Sequence, residues 1–96
     1  MSDAIRREEE GSKGRYVLSR DGGEAVMTYS RLSPTRIIVD HTEVPDALRG
    51  SGAAFALVEH LVADARARGF TVVPLCPYVA AQARRHQDEW ADVFQA

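Results

Sequence analysis

The chain has little cysteine, no long apolar run and no large excess of either charge. Its single cysteine excludes an intramolecular disulfide. No apolar stretch approaches the roughly 20 residues of a membrane-spanning helix, so we predict no membrane partner. A formal net charge of −2 lacks the basic excess that holds nucleic-acid phosphates. We therefore predict no nucleic-acid partner, and the sequence suggests no metal site.

The N-terminus also lacks an apolar secretory segment. Met1 is followed by polar and charged residues, which predicts a cytoplasmic location. Residues 1–13 contain almost nothing apolar, and they are predicted to be a disordered tail because they cannot bury enough surface to offset the entropy of ordering. The remaining residues, 14–96, have the size of one compact domain, and we expect a monomer or a homodimer.

The first half of that domain carries the signals of β-strands. Residues 16–18 and 25–32 are strand candidates, joined by a turn with two glycines at residues 21–23. Residues 35–44 are rich in β-branched side chains and end at Pro45, which has no N–H for a strand ladder. These segments predict an antiparallel meander.

A glycine-containing loop follows, and it is the most informative part of the chain. Two glycines, Gly50 and Gly52, stand between the third strand and an alanine-rich run with helical periodicity that ends at Gly69. A helix that begins at Gly52 or Ala53 points its free N–H groups at the loop, which is typical of a phosphate-binding site. The spacing matches neither the Gly-x-x-x-x-Gly-Lys loop nor the dinucleotide-binding Gly-x-Gly-x-x-Gly pattern.

The second half of the domain indicates a mixed sheet with helices. Residues 71–76 form a short apolar run that is typical of a buried strand. A strand-helix-strand crossover predicts that this strand lies parallel to the third. Residues 78–86 and the segment around Trp90 are predicted to be helical. The fold class is therefore α/β, with an antiparallel meander, one parallel pair and two to three helices.

This order of elements, with its motifs, resembles the GNAT acetyltransferase superfamily. Residues 49–54 match every specified position of that superfamily's acetyl-CoA signature, Arg/Gln-x-x-Gly-x-Gly/Ala. The wider match is to its small single-domain members, of the N-acetyltransferase domain-containing protein 1 type. It covers residues 14–94 and rests on His41-Thr42-Glu43-Val44-Pro45, Val73-Pro74-Leu75-Cys76-Pro77-Tyr78-Val79-Ala80 and Arg84-Arg85-His86.

The resemblance implies that acetyl-CoA is the cosubstrate. Its pantetheine arm would enter a wedge between two parallel strands that splay apart, and the loop would hold its diphosphate. Ligands of open α/β sheets bind at the carboxyl ends of such strands. The implied cofactor-binding residues are Val44, Leu48, Arg49, Gly50, Ser51, Gly52, Ala53 and Ala54. The chain has no helices between its first two predicted strands, so the acceptor side is open or completed by a partner.

Three side chains are candidates for the chemistry. His41 and Glu43 alternate with Ile37 and Val39 along the third strand, so we expect both His41 and Glu43 to project from the same face of the sheet, just before the wedge. His41 is either a general base or a structural histidine, and Glu43 is a base, a water-relay partner or a solvated carboxylate. Cys76 ends the other wall of the wedge, where it is a nucleophile, a proton donor or a small packing residue.

We therefore expect an N-acetyltransferase that moves an acetyl group from acetyl-CoA to an unidentified amine. The alternative is a non-catalytic module that binds acyl-CoA or another protein.

Overall fold

A computed structural model describes residues 4–94 of the protein. The described residues form five strands, three α-helices and a short 3-10 helix. The strands are β1 (Ala4–Glu10), β2 (Lys13–Arg20), β3 (Gly23–Ser33), β4 (Arg36–Glu43) and β5 (Thr71–Pro74). The helices are the 3-10 helix Asp46–Leu48, α1 (Ala53–Arg68), α2 (Pro77–Arg85) and α3 (Gln87–Trp90).

The strands form one mixed sheet in the order β1-β2-β3-β4-β5. The first four strands pair antiparallel, whereas β4 and β5 are parallel. A parallel pair needs a crossover connection, and α1 supplies it. The predicted α/β fold, with its meander and its single parallel pair, is confirmed.

The expectation of a disordered tail over residues 1–13 is wrong for the described part of that segment. Ala4–Glu10 form β1 and pair along their whole length with β2. Charged side chains also hold this strand, since Glu9 accepts a hydrogen bond from Arg31 of β3 at 2.7 Å. Amino-acid composition predicted disorder because it contains no information on backbone pairing with β2 or on side-chain contacts with other strands. Residues 1–3 of the predicted tail lie outside the described residues.

The helices pack against one face of the sheet. α1 lies over β2 and β3, and α2 lies over β4 and β5. The hydroxyl group of Tyr16 on β2 donates to the Asp64 carboxylate on α1 at 2.7 Å. The sheet and all three helices contribute to a single apolar core, whose largest members include Tyr16, Leu18, Met27, Tyr29, Ile37, Leu57, Leu61 and Val79.

The opposite face of the sheet carries polar and charged side chains. Strand register places cross-strand partners on the same side, so this face can be followed from strand to strand. It includes Arg6, Glu8, Arg15, Val26, Thr28, His41 and Glu43, and we call it the open face. Val17 lies on this face too, fully buried among its neighbours. The sheet therefore separates a helix-bearing side from a polar side.

Candidate functional site

The glycine loop enters α1 through two glycines in the left-handed backbone region. Gly50 has a φ of 77° and Gly52 a φ of 83°. Residues with a Cβ rarely adopt such angles, so the loop needs glycine at both positions. A Cβ at either position would meet no atom within 4 Å. The backbone angle, and not crowding inside the protein, is what requires glycine here.

A surface cavity of about 280 Å³ lies beside this loop. It brings together seven of the eight predicted cofactor-binding residues and adds two side chains that the sequence did not suggest. Its lining residues are Val44, Leu48, Arg49, Gly50, Gly52, Ala53, Ala54, Phe55 and Tyr78. Since Phe55 lies in the first turn of α1 and Tyr78 in that of α2, we call this space the α1–α2 cavity.

Ser51, the eighth predicted residue, faces the other way. Its carbonyl oxygen accepts a hydrogen bond from Nη1 of Arg20 at 2.9 Å, and its hydroxyl oxygen accepts one from the same atom at 2.8 Å. The arginine of the loop motif, Arg49, pairs with Asp46 at 3.2 Å, and its side chain is 76% exposed. Arg20, which lies outside the motif, thus holds the loop on the side that faces away from the cavity.

The strands β4 and β5 separate next to the cavity. Their pairing ends where Val39 lies opposite Pro74. The backbone N–H groups of Leu75 and Cys76 then both donate to the Val39 carbonyl oxygen, at 2.9 and 3.0 Å. β4 continues to Glu43 along β3, whereas the chain after β5 turns into α2. The resulting wedge is the splayed parallel pair that the resemblance implies.

A β-bulge at Asp40 changes which side chains face the core. Tyr29 of β3 lies opposite Val39, but the preceding Thr28 lies opposite His41, so Asp40 is an extra residue in β4. Its carboxylate accepts a hydrogen bond from the Thr28 hydroxyl at 2.6 Å. The alternation of side chains along β4 is therefore shifted by one residue beyond Val39.

The bulge determines which face of the sheet carries His41 and Glu43. The two side chains share one face, as expected, and it is the open face, whereas Ile37 and Val39 face the core. Their side chains are 65% and 77% exposed, and Nε2 of His41 lies 3.6 Å from Oε1 of Glu43. The two candidates remain neighbours of each other, but they face solvent.

Cys76 lies on the core side of the wedge, at the start of α2. It is only 3% exposed, and its thiol donates to Oγ1 of Thr42 at a distance of 3.4 Å. Thr42 faces this side because of the bulge, so strict alternation could not have identified it. The structure therefore places Cys76 and the His41–Glu43 pair on opposite faces of the sheet, on either side of the same wedge.

Tyr78 is a further side chain that the sequence reasoning missed. It lies two residues after Cys76 and lines the α1–α2 cavity. Partial burial raises the pKa of the Tyr78 hydroxyl above its ordinary value. Tyr78 lies in the first turn of a helix that begins at the wedge, and this position could have indicated it as a candidate site residue.

Two kinds of feature, a metal-binding cluster and a membrane-spanning helix, are absent from residues 4–94. No group of three or more His, Cys, Asp or Glu side chains in that range is placed to hold a metal ion. None of the helices there has the length and apolarity that a membrane crossing requires.

Comparisons with known proteins agree with this fold. The family model described as GCN5-related N-acetyl-transferase matches residues 15–93. The structure is similar to the solution structure of a Staphylococcus aureus protein described as a GCN5-like candidate N-acetyltransferase, with a TM-score of 0.65 and 25% sequence identity. The similarity covers 95% of this chain and 88% of that chain. No curated protein matches the sequence significantly.

Proposed function

Because the chain belongs to the GCN5-related N-acetyltransferase family, we propose that it binds acetyl-CoA in the α1–α2 cavity and transfers the acetyl group to an amine. The observation that supports this most is the pair of left-handed glycines that leads into the 16-residue helix α1 at the edge of the cavity. The residues of the cavity fit the cosubstrate, since backbone N–H groups and apolar side chains suit a diphosphate and a pantetheine arm.

The diphosphate is proposed to bind at the loop and at the first turn of α1. The first N–H groups of a helix have no acceptor within the helix, and the helix dipole adds about half a positive charge at that end. Gly50, Gly52, Ala53 and Ala54 line the cavity at this point. Their backbone N–H groups are the proposed donors to the phosphate oxygens.

The pantetheine arm is proposed to enter the wedge between β4 and β5. Beyond Val39, β4 is paired on its β3 side, while β5 has already ended on the other. An arm in this gap would run along the β4 backbone toward Cys76 and Thr42. It would bring the thioester to the point where the helix-bearing side and the open face meet.

Acetyl transfer at this point needs two proton movements. The amine nitrogen attacks the thioester carbonyl carbon, so that a C–N bond forms and the C–S bond breaks. The amine must lose a proton, and we propose that His41, beside Glu43, accepts it on the open face. The departing thiolate must gain a proton on the core side of the wedge.

Cys76 is proposed to supply that second proton. Its thiol already donates to Thr42, and its burial keeps water from competing. The alternative is a nucleophilic role, in which the Cys76 sulfur attacks the acetyl group and forms an acetyl-thioenzyme before the amine reacts. We favour proton donation because the wedge leaves little room beside a buried thiol for a covalent step.

A second candidate function is a non-catalytic acyl-CoA-binding module. The exposure of His41 and Glu43 favours it, since an exposed pair is poorly shielded from water and gives an acceptor no enclosed pocket. In this reading the acyl-CoA would stabilise the fold, and the open face would bind another protein.

Calorimetric titration with acetyl-CoA, CoA and a dinucleotide tests the binding proposal. We expect acetyl-CoA and CoA to bind and the dinucleotide to fail. Equal binding of the dinucleotide, or no binding of acetyl-CoA, would contradict the proposal.

A CoA-release assay with polyamines, amino acids and peptides then separates the two candidate functions. We expect slow release from acetyl-CoA that accelerates with a suitable amine. Binding without any release above the buffer blank would favour the non-catalytic module.

A further inference from the structure

Arg20 connects the central sheet to the glycine loop, although it lies outside the loop motif. It is the last residue of β2. Nη1 of Arg20 donates to both the carbonyl and the hydroxyl oxygen of Ser51, which is 31 residues further along the chain. A charged donor shared between two oxygens is a strong anchor for a short loop.

Ser51 is fixed from its other side as well. Its hydroxyl group donates to the Leu48 carbonyl oxygen at 2.5 Å, and its backbone N–H donates to the same oxygen at 3.2 Å. The Ser51 side chain and carbonyl group are thus held at the back of the loop.

This anchoring fixes the direction of the next backbone N–H group. The carbonyl of Ser51 and the N–H of Gly52 belong to one planar trans peptide, in which the two bonds point in opposite directions. Because the Ser51 oxygen is held toward Arg20, the Gly52 N–H points away from Arg20. Gly52 itself lines the α1–α2 cavity.

The end of β2 lies close to the segment that leads into the loop. The turn that follows it packs against the segment before the loop: a Cβ built on Gly22 would lie 3.2 Å from Ala47, and one on Gly23 would lie 3.2 Å from Pro45. The turn after Arg20 and the segment before the loop are therefore packed against each other. Arg49, in contrast, is mostly exposed and pairs only with Asp46 among the ion pairs of the described residues.

We propose that Arg20 is a positioning residue for anion binding: it holds the Ser51 carbonyl so that the Gly52 N–H faces the diphosphate of acetyl-CoA. This inference rests on the proposed function, since acetyl-CoA is the anion. The guanidinium charge also lies directly behind the loop, where it favours a phosphate group in front.

The main test compares Arg20→Gln and Arg20→Lys with the unaltered protein. We expect Arg20→Gln to weaken acetyl-CoA binding roughly 10- to 100-fold, which is the range for one lost charge-assisted anchor. Acetyl release at saturating acetyl-CoA is expected to stay within about twofold, because Arg20 does not touch the reacting atoms. Arg20→Lys should recover part of the affinity, since it keeps a charged donor.

Two further measurements separate positioning from a general structural role. Ser51→Ala removes the hydroxyl contact but keeps the carbonyl contact, so we expect a smaller loss of affinity than with Arg20→Gln. S-acetyl-pantetheine, which lacks the diphosphate, should bind the unaltered protein and Arg20→Gln equally. An equal loss of affinity for this fragment would overturn the proposal, because the effect would not depend on the anion.

The ligand-free protein gives a test that does not depend on acetyl-CoA. We expect the amide resonance of Gly52 to shift in Arg20→Gln, and that of Gly69 at the far end of α1 to stay in place. An unchanged Gly52 resonance, or unchanged acetyl-CoA affinity, would overturn the role of Arg20. If the unaltered protein fails to bind acetyl-CoA while the Gly52 resonance moves, the proposed function fails and the anchor itself stands.

Discussion

The proposed site on the helix-bearing side of the sheet consists of different chemical groups from the proposed site on the open face. On the helix-bearing side, the proposed cofactor site is mostly backbone: two left-handed glycines, a helix N-terminus and the end of a strand pair. On the open face, the proposed acceptor site consists of exposed side chains on β4, chiefly His41 and Glu43. The two sides meet at the wedge between β4 and β5.

This difference sets how each side responds to substitution. A site made of backbone groups is rigid, and it is insensitive to most side-chain changes but fails when a glycine is replaced. Replacing an exposed side chain changes the stability of the fold little, since few contacts are lost. The chemistry of such a site, however, depends on each of its side chains. We therefore expect substitution of a loop glycine to have the largest effect, on acetyl-CoA binding. Substitutions at the wedge and on the open face should have smaller effects, on the acetyl-transfer rate.

Gly52→Asp should produce the largest effect. We expect no detectable acetyl-CoA binding by calorimetry, and no rise in melting temperature at an acetyl-CoA concentration that stabilises the unaltered protein. The new carboxylate would stand where the diphosphate is proposed to bind, and the left-handed angle of 83° would strain the backbone. A ligand that binds only the folded state otherwise raises stability by about 2.7 kcal/mol at 100 times its dissociation constant.

Gly69→Asp is the matched control for this experiment. Gly69 ends α1 with a φ of 77°, and a Cβ there would meet nothing within 4 Å. The same substitution therefore brings the same strain, plus an unfavourable charge at a helix C-terminus. It should lower the melting temperature but leave acetyl-CoA binding intact. Equal loss of binding in both variants would mean that the backbone site is not at Gly52.

Cys76→Ala should give the next largest effect, at the wedge itself. We expect the acetyl-transfer rate to fall roughly 100-fold with unchanged acetyl-CoA affinity, which is typical of a lost proton donor. Intact mass spectrometry after incubation with acetyl-CoA alone should show no stable adduct on the unaltered protein. An acetyl adduct that hydroxylamine removes, and that Cys76→Ala lacks, would establish the nucleophilic role instead.

Val79→Ala controls for packing in the Cys76 experiment. Val79 is fully buried in α2, the helix that follows Cys76, and its truncation should cost at least about 1 kcal/mol of stability. It should leave the rate at saturation nearly unchanged. If Cys76→Ala loses only a similar amount of stability and no activity, Cys76 is a packing residue.

The sequence predicted the glycine loop and α1 on the helix-bearing side well, because the sequence signals for these elements are local. Gly50, Gly52 and Gly69 indicated the loop and both ends of α1, and the structure has α1 at Ala53–Arg68. The family that the motif suggested is confirmed by the match over residues 15–93. Roles of individual cofactor-binding residues stay predictions.

The open face could not be predicted as well, because it depends on long-range pairing. A single extra residue at Asp40 reversed the faces of all later positions in β4, and no local signal marks that bulge. The contact between Thr42 and Cys76 follows from the same shift. β1 was missed for a related reason, since its partners lie on β2 and β3.

His41→Gln tests the open face directly. We expect a fall of roughly tenfold in the acetyl-transfer rate near neutral pH, smaller than for Cys76→Ala because water reaches an exposed base and replaces part of its action. Acetyl-CoA affinity should stay unchanged, since the cavity lies on the other side. Glu43→Gln is the control: it keeps the His41 imidazole, so its acetyl-transfer rate should fall less than that of His41→Gln. A parallel loss of rate and affinity in His41→Gln would indicate a structural role.

The smallest effect is expected at the outer part of the sheet, where β1 is held by charge. Oε2 of Glu9 accepts a hydrogen bond from the Tyr29 hydroxyl at 2.6 Å and pairs with Arg31 at 2.7 Å. The Tyr29 hydrogen bond, followed by that of Arg31, lowers the pKa of Glu9 below its ordinary value. Burial, together with Glu9, raises the pKa of Tyr29 to about 12. These contacts tie β1 to the central sheet.

Glu9→Gln should therefore destabilise the protein by less than about 1 kcal/mol at neutral pH, since the Glu9 and Arg31 side chains of the ion pair are partly exposed. A carboxylate whose pKa is lower in the folded state stabilises that state above its unfolded pKa of about 4.3, and the contribution is lost as the pH falls through the folded pKa. The difference between Glu9→Gln and the unaltered protein, measured by urea unfolding, should thus shrink below about pH 4. Glu10→Gln removes the same charge from the exposed end of β1 and serves as the control. A Glu9→Gln difference that stays constant across this range would mean that the ion pair does not hold β1, and that backbone pairing with β2 alone orders this edge of the sheet.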